Sequence, residues 1–481
     1  MALDRRGFLT LGAAGALGLA LPEAPALPKR AARALRGAVR GPVLFPGTSR
    51  YASERLVYNT RYDGVRPQAV VQPLDTRDVQ AVVRWANRFG VRIVPRSGGH
   101  SYAGYSTTPT GVVVDLGRMR GIRLAGGRAT VGAGAQLIDV YSKLAAHGLL
   151  IPAGSCPSVG IGGLALGGGH GLSGRRFGLT TDNLKAAVIV TADGRARHVD
   201  ADTNEDLYWA CRGGGGGNFG IVTSMTFQAH RAAGGSWFFI RFPRSQAGEA
   251  LAAWQRFAPH APPALTSIFN LSTSGATALG QYFGPRSKLL GLIRPLSRVA
   301  GASVSSGSST MMSLALRWAG CLDEGYRACH TRGTSPGGQL PRTSFYAKSD
   351  YFDKPLPPHA RQLMIDWVER RQGAGALILD AYGGAYNRPA PDATAFVHRD
   401  MLFSLQYFTA GGPASRHWAN GVWKALRPYA SGQAYQNYID PQLRTWQRAY
   451  YGSNLARLRE VKKQVDPDFM FRFRQAIPPA S

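Results

Sequence analysis

The sequence predicts an α+β protein made of two folded regions followed by a helical C-terminal segment. Between about Val70 and residue 232, short β-rich runs alternate with apolar residues at helical spacing. From about residue 233 to 430 the chain is richer in aromatic residues and poorer in glycine motifs. After residue 430 a helical pattern returns, with Leu455, Leu458 and Val461 on one face.

The elements of the first region can be placed in order. In "DTRDVQAVVRWANRFG", Val79, Val82 and Val83 have helical spacing and Gly90 stands where a C-cap belongs. "QLIDVYSKLAAHG" predicts a second helix of the same kind. "VRIVPR", "GVVVDL" and "FGIVTSMTFQAH" have the composition of strands, and "LKAAVIVTADGRARHVD" predicts a β-hairpin that turns at Ala-Asp-Gly.

The middle region predicts a second α+β domain. "LALRWAG" and "GALILDAYGGAYN" are predicted as strands, "HARQLMIDWVERR" as a helix and "SVSSGSST" as a loose segment. The final helix is expected to stop at Asp466-Pro467, because the residue before proline is disfavoured in the helical region.

The charge of the chain is strongly positive, with 57 basic against 28 acidic residues and a net charge of +29. The basic residues are dispersed, and no run of five like charges or zinc-finger spacing occurs. Dispersed charge favours solubility over a nucleic-acid footprint, so neither a nucleic-acid partner nor a metal site is predicted.

The N-terminus has the pattern of an export signal. Arg5 and Arg6 precede an apolar run from Phe8 to Leu21, and small residues follow at Ala24 to Ala26. The paired arginines followed by Gly-Phe-Leu resemble a twin-arginine (Tat) signal, which predicts a Tat-like signal peptide over residues 1–30 and a secreted or extracytoplasmic protein. The apolar run is shorter than the roughly 18 residues of a membrane span, and no other stretch is long enough.

The four cysteines allow several uses. Cys321 and Cys329 are near enough in sequence to pair in an oxidising compartment, although the sequence leaves that pairing open. Cys211 follows "LYWA" and is expected to be a small buried residue. Cys156 lies near the start of a glycine-rich stretch, which makes it a candidate for a reactive thiol in a ligand site.

Three glycine-rich stretches are candidates for a ligand site. They are "RSGGHSYAGYS" with His100, "GSCPSVGIGGLALGGGHG" with Cys156, and "RGGGGGNFGIVT". Glycine-rich loops free backbone amides to bind phosphate oxygens, although close packing of backbones also explains single loops. None matches a P-loop or a dinucleotide fingerprint. A Cys156–His100 nucleophilic pair is conceivable, but no third orienting group stands out.

These stretches resemble a known family. "RSGGHSY" and "GSCPSVGIGG…GGGHG…R…GL…DN" are similar to the flavin-binding domain of the berberine bridge enzyme-like family, within the vanillyl-alcohol oxidase (PCMH-type) FAD fold. "YYGSNLARLREVKKQVDPDFMFRFRQAIPP" resembles the family's C-terminal motif. The resemblance implies an FAD-binding domain over residues 45–232, a substrate domain with an antiparallel sheet over 233–430, and a segment over 431–481 that returns to the FAD domain.

The resemblance also implies how the cofactor is held. FAD would be bound covalently at two points, by His100 at the 8α position and by Cys156 at the 6-position. A covalent bond raises the flavin potential and favours hydride removal from difficult donors. The further cofactor-binding residues would be Arg96, Ser97, Gly98, Gly99, Ser101, Tyr105, Gly154, Pro157, Ser158, Gly160, Gly163, Gly167, Gly168, Gly169, Asp182, Asn183, Gly220, Ile221, Val222 and Asn437.

The resemblance also implies roles for two other positions in the glycine-rich stretch of Cys156. A small residue at Gly154 leaves room for O2 and implies an oxidase that forms peroxide. Leu164 stands where many relatives have a histidine that contacts the flavin ribityl chain. His170 lies six residues further on, and it is not expected to replace that histidine.

The catalytic base is expected on "AYQNYID", which resembles a Tyr-x-Asn-Tyr-x-Asp signature. Tyr438 would be the base, with Tyr435 near the flavin edge. A free tyrosine has a pKa of about 10 and needs a partner at neutral pH. The candidate partners are Tyr382 and Asp380, predicted to share one face of a strand, and Gln406 would be a polar active-site residue.

The resemblance therefore predicts an exported FAD-dependent oxidase of alcohol-type donors that uses O2. A secondary-metabolite alcohol is the first expected substrate, and an oligosaccharide oxidised at its anomeric carbon is the alternative. A binding protein that had lost the chemistry would be expected to lack His100, Cys156 or Tyr438, and all three are present.

Overall fold

The computed structural model describes residues 26–332, 337–371 and 373–481. Residues 1–25 of the predicted signal peptide (1–30) lie outside the described residues. Helix α1 (Lys29–Ala38) buries Ala31 and Leu35 in the first core, and the indole nitrogen of Trp85 donates to the carbonyl of Ala31 at 2.9 Å. The folded N-terminal domain therefore includes chain that precedes the expected boundary at residue 45.

Two main sheets and a two-stranded sheet of β7 and β11 form the N-terminal domain. The first has the order β1-β2-β4-β3, with β3 and β2 both parallel to β4. The second is antiparallel with the order β5-β6-β10-β8-β9, and it contains the predicted hairpin as β8 and β9. The bounds are β1 Val43–Leu44, β2 Ala69–Val71, β3 Ile93–Arg96, β4 Val112–Asp115, β5 Ile122–Ala125, β6 Arg128–Gly132, β7 Leu149–Leu150, β8 Leu184–Val190, β9 Ala196–Asp200, β10 Ile221–Gln228 and β11 His230–Arg231.

The helices of this domain surround the two sheets. They are α2 Tyr51–Glu54, α3 Thr76–Phe89, α4 Leu137–Ala145, α5 Ile161–Leu166, α6 Gly174–Phe177 and α7 Glu205–Ala210. Helix α3 confirms its sequence signals, because Asp75 caps its first turn and Gly90 ends it in the left-handed conformation. Its buried face includes Val79, Val82 and Val83.

The middle domain is built on one antiparallel seven-stranded sheet with the order β15-β12-β14-β13-β17-β18-β16. Its strands are β12 Gly234–Phe242, β13 Leu265–Ser272, β14 Gly275–Tyr282, β15 Ser303–Thr310, β16 Phe345–Phe352, β17 Gly375–Ala381 and β18 Phe403–Ala410. Its helices are α8 Ala247–Phe257, α9 Arg286–Leu292, α10 Arg294–Ser297, α11 Met311–Ala319, α12 Gly325–Ala328, α13 Pro358–Glu369 and α14 Pro413–Leu426.

Side chains alternate between the two faces of this sheet. One face packs against α8, α13 and α14 around residues such as Phe269 and Trp254. The opposite face, which includes Ile268 and Ile378, looks towards the N-terminal domain. This second face of the sheet therefore forms one wall of the space between the two domains.

Two predictions for this domain were wrong. "SVSSGSST" forms the edge strand β15 instead of a loose segment, because it pairs with β12 from Arg241–Ser303 to Gly234–Thr310. "LALRWAG" lies in helix α11 instead of a strand. Thr310 caps that helix, Leu314 and Trp318 bury the same face four residues apart, and Gly320 ends it with φ +74°.

The C-terminal segment packs into the N-terminal domain. Helices α15 (Trp446–Tyr451) and α16 (Leu455–Val465) contribute Tyr450 and Val461 to its core. The ammonium group of Lys462 donates to the carboxylate of Asp466 at 2.6 Å and to the carbonyl of Phe471 at 2.8 Å. Along the described chain, no helix combines the length and apolar character that a membrane crossing requires.

Candidate active site

A cavity of about 380 Å³ lies between the sheet of the middle domain and the glycine-rich loops of the N-terminal domain. The loop side presents backbone at Gly98, Gly160, Gly163 and Gly216. The sheet side presents the side chains of Ile268, Asn270, Ile378, Asp380, Gln406 and Phe408. The C-terminal segment adds Tyr435, Asn437 and Tyr438. All three predicted parts of the chain therefore meet at one site.

His100 and Cys156 both line this cavity. His100 stacks on Tyr58 with ring centroids 4.0 Å apart, and its Nε2 lies 3.0 Å from the hydroxyl of Ser158. Burial lowers the pKa of His100 to about 3, so the imidazole is neutral at physiological pH. Cys156 is exposed, lines the cavity and is not part of a disulfide. Two side chains able to form covalent bonds thus face one space.

Tyr438 stands where the loop side and the sheet side meet. Its ring stacks on Tyr102 with centroids 5.0 Å apart and an interplanar angle of 8°. Its hydroxyl lies 3.0 Å from Nε2 of His170. Burial raises the pKa of Tyr438 well above its usual value, and the charges of Tyr102 and Asp380 raise it further. Tyr438 is therefore a neutral phenol at physiological pH.

Tyr435 and Asn437 have structural contacts in the cavity wall. The Tyr435 hydroxyl accepts hydrogen bonds from the amide of Gly169 at 2.7 Å and from the side chain of Asn437 at 2.9 Å. Asn437 also donates to the carbonyl of Leu164 at 2.9 Å. Burial raises the pKa of Tyr435 to about 12. These contacts hold the C-terminal segment against the loop that follows α5.

The two candidate partners of Tyr438 differ in position. Asp380 and Gln406 line the cavity, and the Gln406 amide donates to the Tyr102 hydroxyl at 2.8 Å. Tyr382 does not line it: its hydroxyl lies 3.0 Å from that of Tyr351 inside a buried aromatic cluster. The expectation that Asp380 and Tyr382 face the same space is wrong, because β17 ends at Ala381 and Tyr382 turns into the core.

Most of the predicted cofactor residues line the cavity. Besides His100 and Cys156 they are Ser97, Gly98, Gly99, Ser101, Tyr105, Gly154, Gly160, Gly163, Gly220, Val222 and Asn437. Gly98 and Gly160 also need to be glycine for packing, since a Cβ on Gly98 would lie 2.2 Å from the amide of Gly160. The remaining predicted cofactor residues are Arg96, Pro157, Ser158, Gly167, Gly168, Gly169, Asp182, Asn183 and Ile221, and none of them lies in the lining.

The charged and polar residues outside the lining have other partners. Arg96 is buried and pairs with Asp115 at 3.0 Å. Asp182 pairs with the fully buried guanidinium of Arg399 at 2.7 Å. Asn183 binds the carbonyls of Phe177 and Leu179 and the imidazole of His230. These side chains stabilise the walls behind the site.

Gly167, Gly168 and Gly169 form a turn behind the lining. A Cβ on Gly167 would lie 2.1 Å from the side-chain oxygen of Asn437, and one on Gly169 would lie 2.2 Å from the hydroxyl of Thr180. Gly168 and Gly169 have φ values of +125° and +85°, which disfavour other residues. The turn thus reverses the chain and brings the next residue, His170, into the cavity.

Gly154 and Leu164 both line the cavity and lie close together. A Cβ at Gly154 would lie 3.7 Å from side-chain carbons of Leu137 and Leu164, which is ordinary contact. The hydroxyl of Tyr141 donates to the carbonyl of Gly154 at 2.6 Å. No backbone requirement therefore makes Gly154 a glycine.

Among the lining residues that sequence reasoning did not place in the site, three have ring contacts with His100 or Tyr438. His170 and Tyr102 contact Tyr438, and Tyr58 stacks on His100. Tyr102 and His170 lie within the glycine-rich stretches, and the aromatic residues that follow His100 in "HSYAGYS" indicated Tyr102. The motif GGGHG contains His170, but sequence reasoning assigned it no role, because its partner Tyr438 is 268 residues away.

The other cysteines lie outside the site. Cys321 and Cys329 form a disulfide with Cα atoms 5.6 Å apart. Cys211 is buried, and burial raises its pKa to about 12. Among the described residues, no group of three or more His, Cys, Asp or Glu side chains is arranged to hold a metal ion.

Two families match segments of the chain. Residues 67–200 match the family described as FAD binding domain, and residues 434–478 match the family described as berberine and berberine like. The first match includes the loops of His100 and Cys156, and the second includes Tyr438.

Relatives match nearly the whole chain. An uncharacterised FAD-linked oxidoreductase of Bacillus subtilis, YgaK, is 35% identical over 428 residues, covering 86% of this chain and 91% of that protein. The chitooligosaccharide oxidase of Gibberella zeae is 30% identical over 464 residues, covering 90% and 91%. The structure of Physcomitrella patens BBE-like 1 has a TM-score of 0.88 at 34% identity and covers 94% of this chain and 99% of that one. The chain belongs to the berberine bridge enzyme-like family of FAD-linked oxidoreductases.

Proposed function

We propose that this FAD-dependent oxidase holds its flavin through His100 and Cys156 and oxidises an alcohol carbon with Tyr438 as the base. The observation that carries the proposal is the meeting of these three side chains in one cavity. O2 would be the acceptor and hydrogen peroxide the second product.

The cavity fits a covalently bound FAD. Three glycine-bearing loops present bare backbone, and at Gly163 a Cβ would meet nothing within 4 Å, so the wall leaves room for a cofactor. Nε2 of His100 is engaged by Ser158, which leaves Nδ1 of a neutral imidazole to act as the nucleophile towards the flavin. The Cys156 thiol is accessible from the same cavity.

The residues around Tyr438 support its role as base. Bound FAD supplies the acceptor for the hydride that leaves the substrate carbon. Tyr438 would receive the hydroxyl proton of the substrate, and the stacked ring of Tyr102 fixes its plane. The Gln406 amide donates to the Tyr102 hydroxyl at 2.8 Å, so the sheet is connected to the base through Tyr102. The chain thus orients the base from both domains.

The sheet face favours a substrate with many hydroxyl groups. Asn270, Ile378 and Gln406 lie in register on adjacent strands, so Asn270 is about 10 Å from Gln406 across two strand spacings. The side-chain oxygen of Asn270 is buried without a hydrogen-bond partner and belongs to a residue that lines the cavity. A hydroxyl of an elongated substrate would satisfy it. We therefore propose an oligosaccharide oxidised at its anomeric carbon, and the similarity to chitooligosaccharide oxidase supports this.

A secondary-metabolite alcohol is the second candidate. Phe345 and Phe408 stack with centroids 5.5 Å apart and form an apolar wall of the same cavity. Such a wall would accept the flat face of an aromatic alcohol. Peroxide release measured against panels of oligosaccharides and aromatic alcohols distinguishes the two candidates.

The export of the protein is also a proposal. The disulfide Cys321–Cys329 supports it, because disulfides persist mainly in oxidising compartments. Replacing Arg5 and Arg6 by lysine should retain the protein inside the producing cell, and unchanged export of that variant would contradict a twin-arginine signal.

The role of Tyr438 is tested by rapid-mixing measurements of flavin reduction. Tyr438→Phe should slow reduction by roughly 10²–10⁴-fold, the range of general-base catalysis, while flavin remains bound. Tyr208→Phe is a matched control, since it removes a buried hydroxyl that binds the carbonyl of Leu184 outside the cavity. Near-normal reduction in Tyr438→Phe would remove Tyr438 from this role.

A further inference from the structure

The turn that follows α5 is fastened on both sides of His170. The amide of Gly169 donates to the Tyr435 hydroxyl at 2.7 Å. The Tyr386 hydroxyl accepts from the amide of Gly171 at 2.9 Å and donates to the carbonyl of the same residue at 2.7 Å. Two tyrosines distant in sequence therefore hold the backbone before and after His170, which fixes the origin of its side chain.

The side chain of His170 is equally confined. The residue is 7% exposed and lines the cavity. Its ring packs edge-on against Tyr435 at 4.8 Å and Tyr438 at 5.5 Å, and it lies 6.1 Å from the ring of Tyr382. This packing directs Nε2 to the Tyr438 hydroxyl at 3.0 Å.

We propose that His170 is the proton acceptor of Tyr438, a positioning residue that acts through the tyrosine. This inference rests on the proposed function of the site. The proton of the substrate hydroxyl moves to the Tyr438 oxygen, and the phenol proton of Tyr438 moves to Nε2 of His170. Tyr438 therefore stays neutral overall, and the positive charge ends on the imidazole. The histidine must begin neutral with its lone pair on Nε2, which is the Nδ1–H tautomer.

The neighbours of Tyr438 explain why such an acceptor is needed. Burial holds the pKa of Tyr438 well above its usual value, so a preformed phenolate is disfavoured. Asp380 raises that pKa further through its charge. Tyr382 is engaged with Tyr351. Nε2 of His170 lies 3.0 Å from the Tyr438 hydroxyl, which is hydrogen-bond distance.

The groups that face His170 define its pH dependence. They are the phenols of Tyr382, Tyr435 and Tyr438, with Asp380 acting on Tyr438 and Tyr386 bound to the adjacent Gly171. These tyrosines are neutral at physiological pH, because burial raises their pKa values. A protonated imidazole cannot take the phenol proton, so the rate of flavin reduction should rise with pH as His170 loses its own proton.

The first test is His170→Gln in the flavin-loaded enzyme. Glutamine retains a side chain of similar reach but cannot take the proton. Flavin reduction at pH 7 should fall by about 10²-fold or more, and the rise of the rate with pH should disappear. His398→Gln is the matched control, because His398 is buried beside Tyr351 and binds Gln433 and Gln436 without lining the cavity. The control should keep the wild-type pH profile.

The second test is chemical rescue. His170→Ala opens a space that communicates with the cavity, so added imidazole should restore flavin reduction several-fold. The same imidazole should not restore the double variant with Tyr438→Phe. In the loaded wild-type enzyme, ¹⁵N NMR of labelled histidine should show a signal of Nε2 that moves when Tyr438 is changed to Phe.

The outcomes separate this inference from the function on which it rests. Slow reduction in Tyr438→Phe with normal rate and pH profile in His170→Gln would overturn the role of His170 alone. Normal reduction in Tyr438→Phe would overturn both. Should His170→Gln fail to fold, failure of imidazole to rescue His170→Ala or an unchanged NMR signal would overturn the inference.

Discussion

Gly154 lines the cavity, and neither its backbone nor its packing requires a glycine there. Its φ lies outside the left-handed region, and a Cβ there would make only ordinary contacts at 3.6 to 3.7 Å. Gly98 differs, because a Cβ on it would collide with the backbone of Gly160. Gly154 lies two residues before Cys156 on the cavity wall, and the backbone does not require a glycine there. It is therefore a candidate for controlling the access of O2 to the flavin.

Substitution at Gly154 tests this access. Gly154→Leu should place a branched side chain against Leu137 and Leu164 and fill the space beside the flavin. Reoxidation by O2 should slow on the order of tenfold or more, equivalent to about 1.4 kcal/mol of barrier, while reduction by substrate stays close to wild type. Gly154→Ala should give a smaller effect. Stopped-flow reoxidation that is equally fast in all three proteins would refute the access role.

Residues with a local signal were predictable, and those with remote partners were not. His100 and Cys156 lie within short distinctive motifs, and both line the cavity. The Asp182–Arg399 pair spans 217 residues, so Asp182 looked like a cofactor residue although it stabilises a wall. His170 was left without a role for the same reason. Side-chain contacts of this range depend on the packed fold and leave no local pattern.

At the scale of elements, the glycine turn after α5 links the fold to the chemistry. Gly169→Ala would force a Cβ to within 2.2 Å of the Thr180 hydroxyl at a φ of +85°. We expect a loss of about 1–3 kcal/mol in the free energy of unfolding and slower flavin reduction, because His170 follows directly. Gly126→Ala, at φ +55° with nothing within 4 Å, is the control for backbone strain alone. Equal losses of stability and unchanged reduction in both variants would contradict this account.

The segment around the disulfide Cys321–Cys329 is a second element, and it contacts the N-terminal domain. Tyr326 and His330 flank Cys329 and both bind Asp139 on α4, at 2.5 and 3.0 Å. The hydrogen bond that the His330 imidazole donates to the Asp139 carboxylate raises the pKa of His330. Burial opposes ionisation of Asp139, but hydrogen bonds from His330 and Tyr326 lower its pKa overall. The contact joins the middle domain to the helix that begins at the cavity residue Leu137.

This contact should stabilise the protein more at acidic than at alkaline pH. A raised histidine pKa gives stabilisation that is complete below about 6.5 and is lost as pH rises through the folded-state value. His330→Gln should therefore lower the Tm more at pH 5.5 than at pH 8. His147→Gln, just beyond the end of α4 and exposed, should show no such difference. An identical loss of Tm at both pH values would count against the ion pair.

The Asp139 carboxylate has the opposite pH dependence. Its pKa is lowered in the folded protein, so its stabilising contribution is lost only as the pH falls below the usual pKa range of an aspartate.

At the scale of the whole molecule, the sequence predicted the class of fold and the regions that build it. Helices with caps and strands with alternating or apolar runs were placed correctly, as α3 and the β8–β9 hairpin show. β15 was misassigned because this polar edge strand forms through its pairing with β12. α11 was misassigned because this short helix depends on its N-cap and on one buried face. Tertiary pairing overrides local preference in such segments.

We propose that one flavin is bonded to this chain through His100 and Cys156, and intact-mass spectrometry under denaturing conditions is the decisive measurement of these bonds. Wild type, His100→Ala and Cys156→Ala should each retain the mass of one FAD, and the double variant should retain none. Cys156→Ala should also shift the flavin absorption spectrum. A wild-type chain that loses all flavin on denaturation, or a double variant that keeps it, would contradict the account.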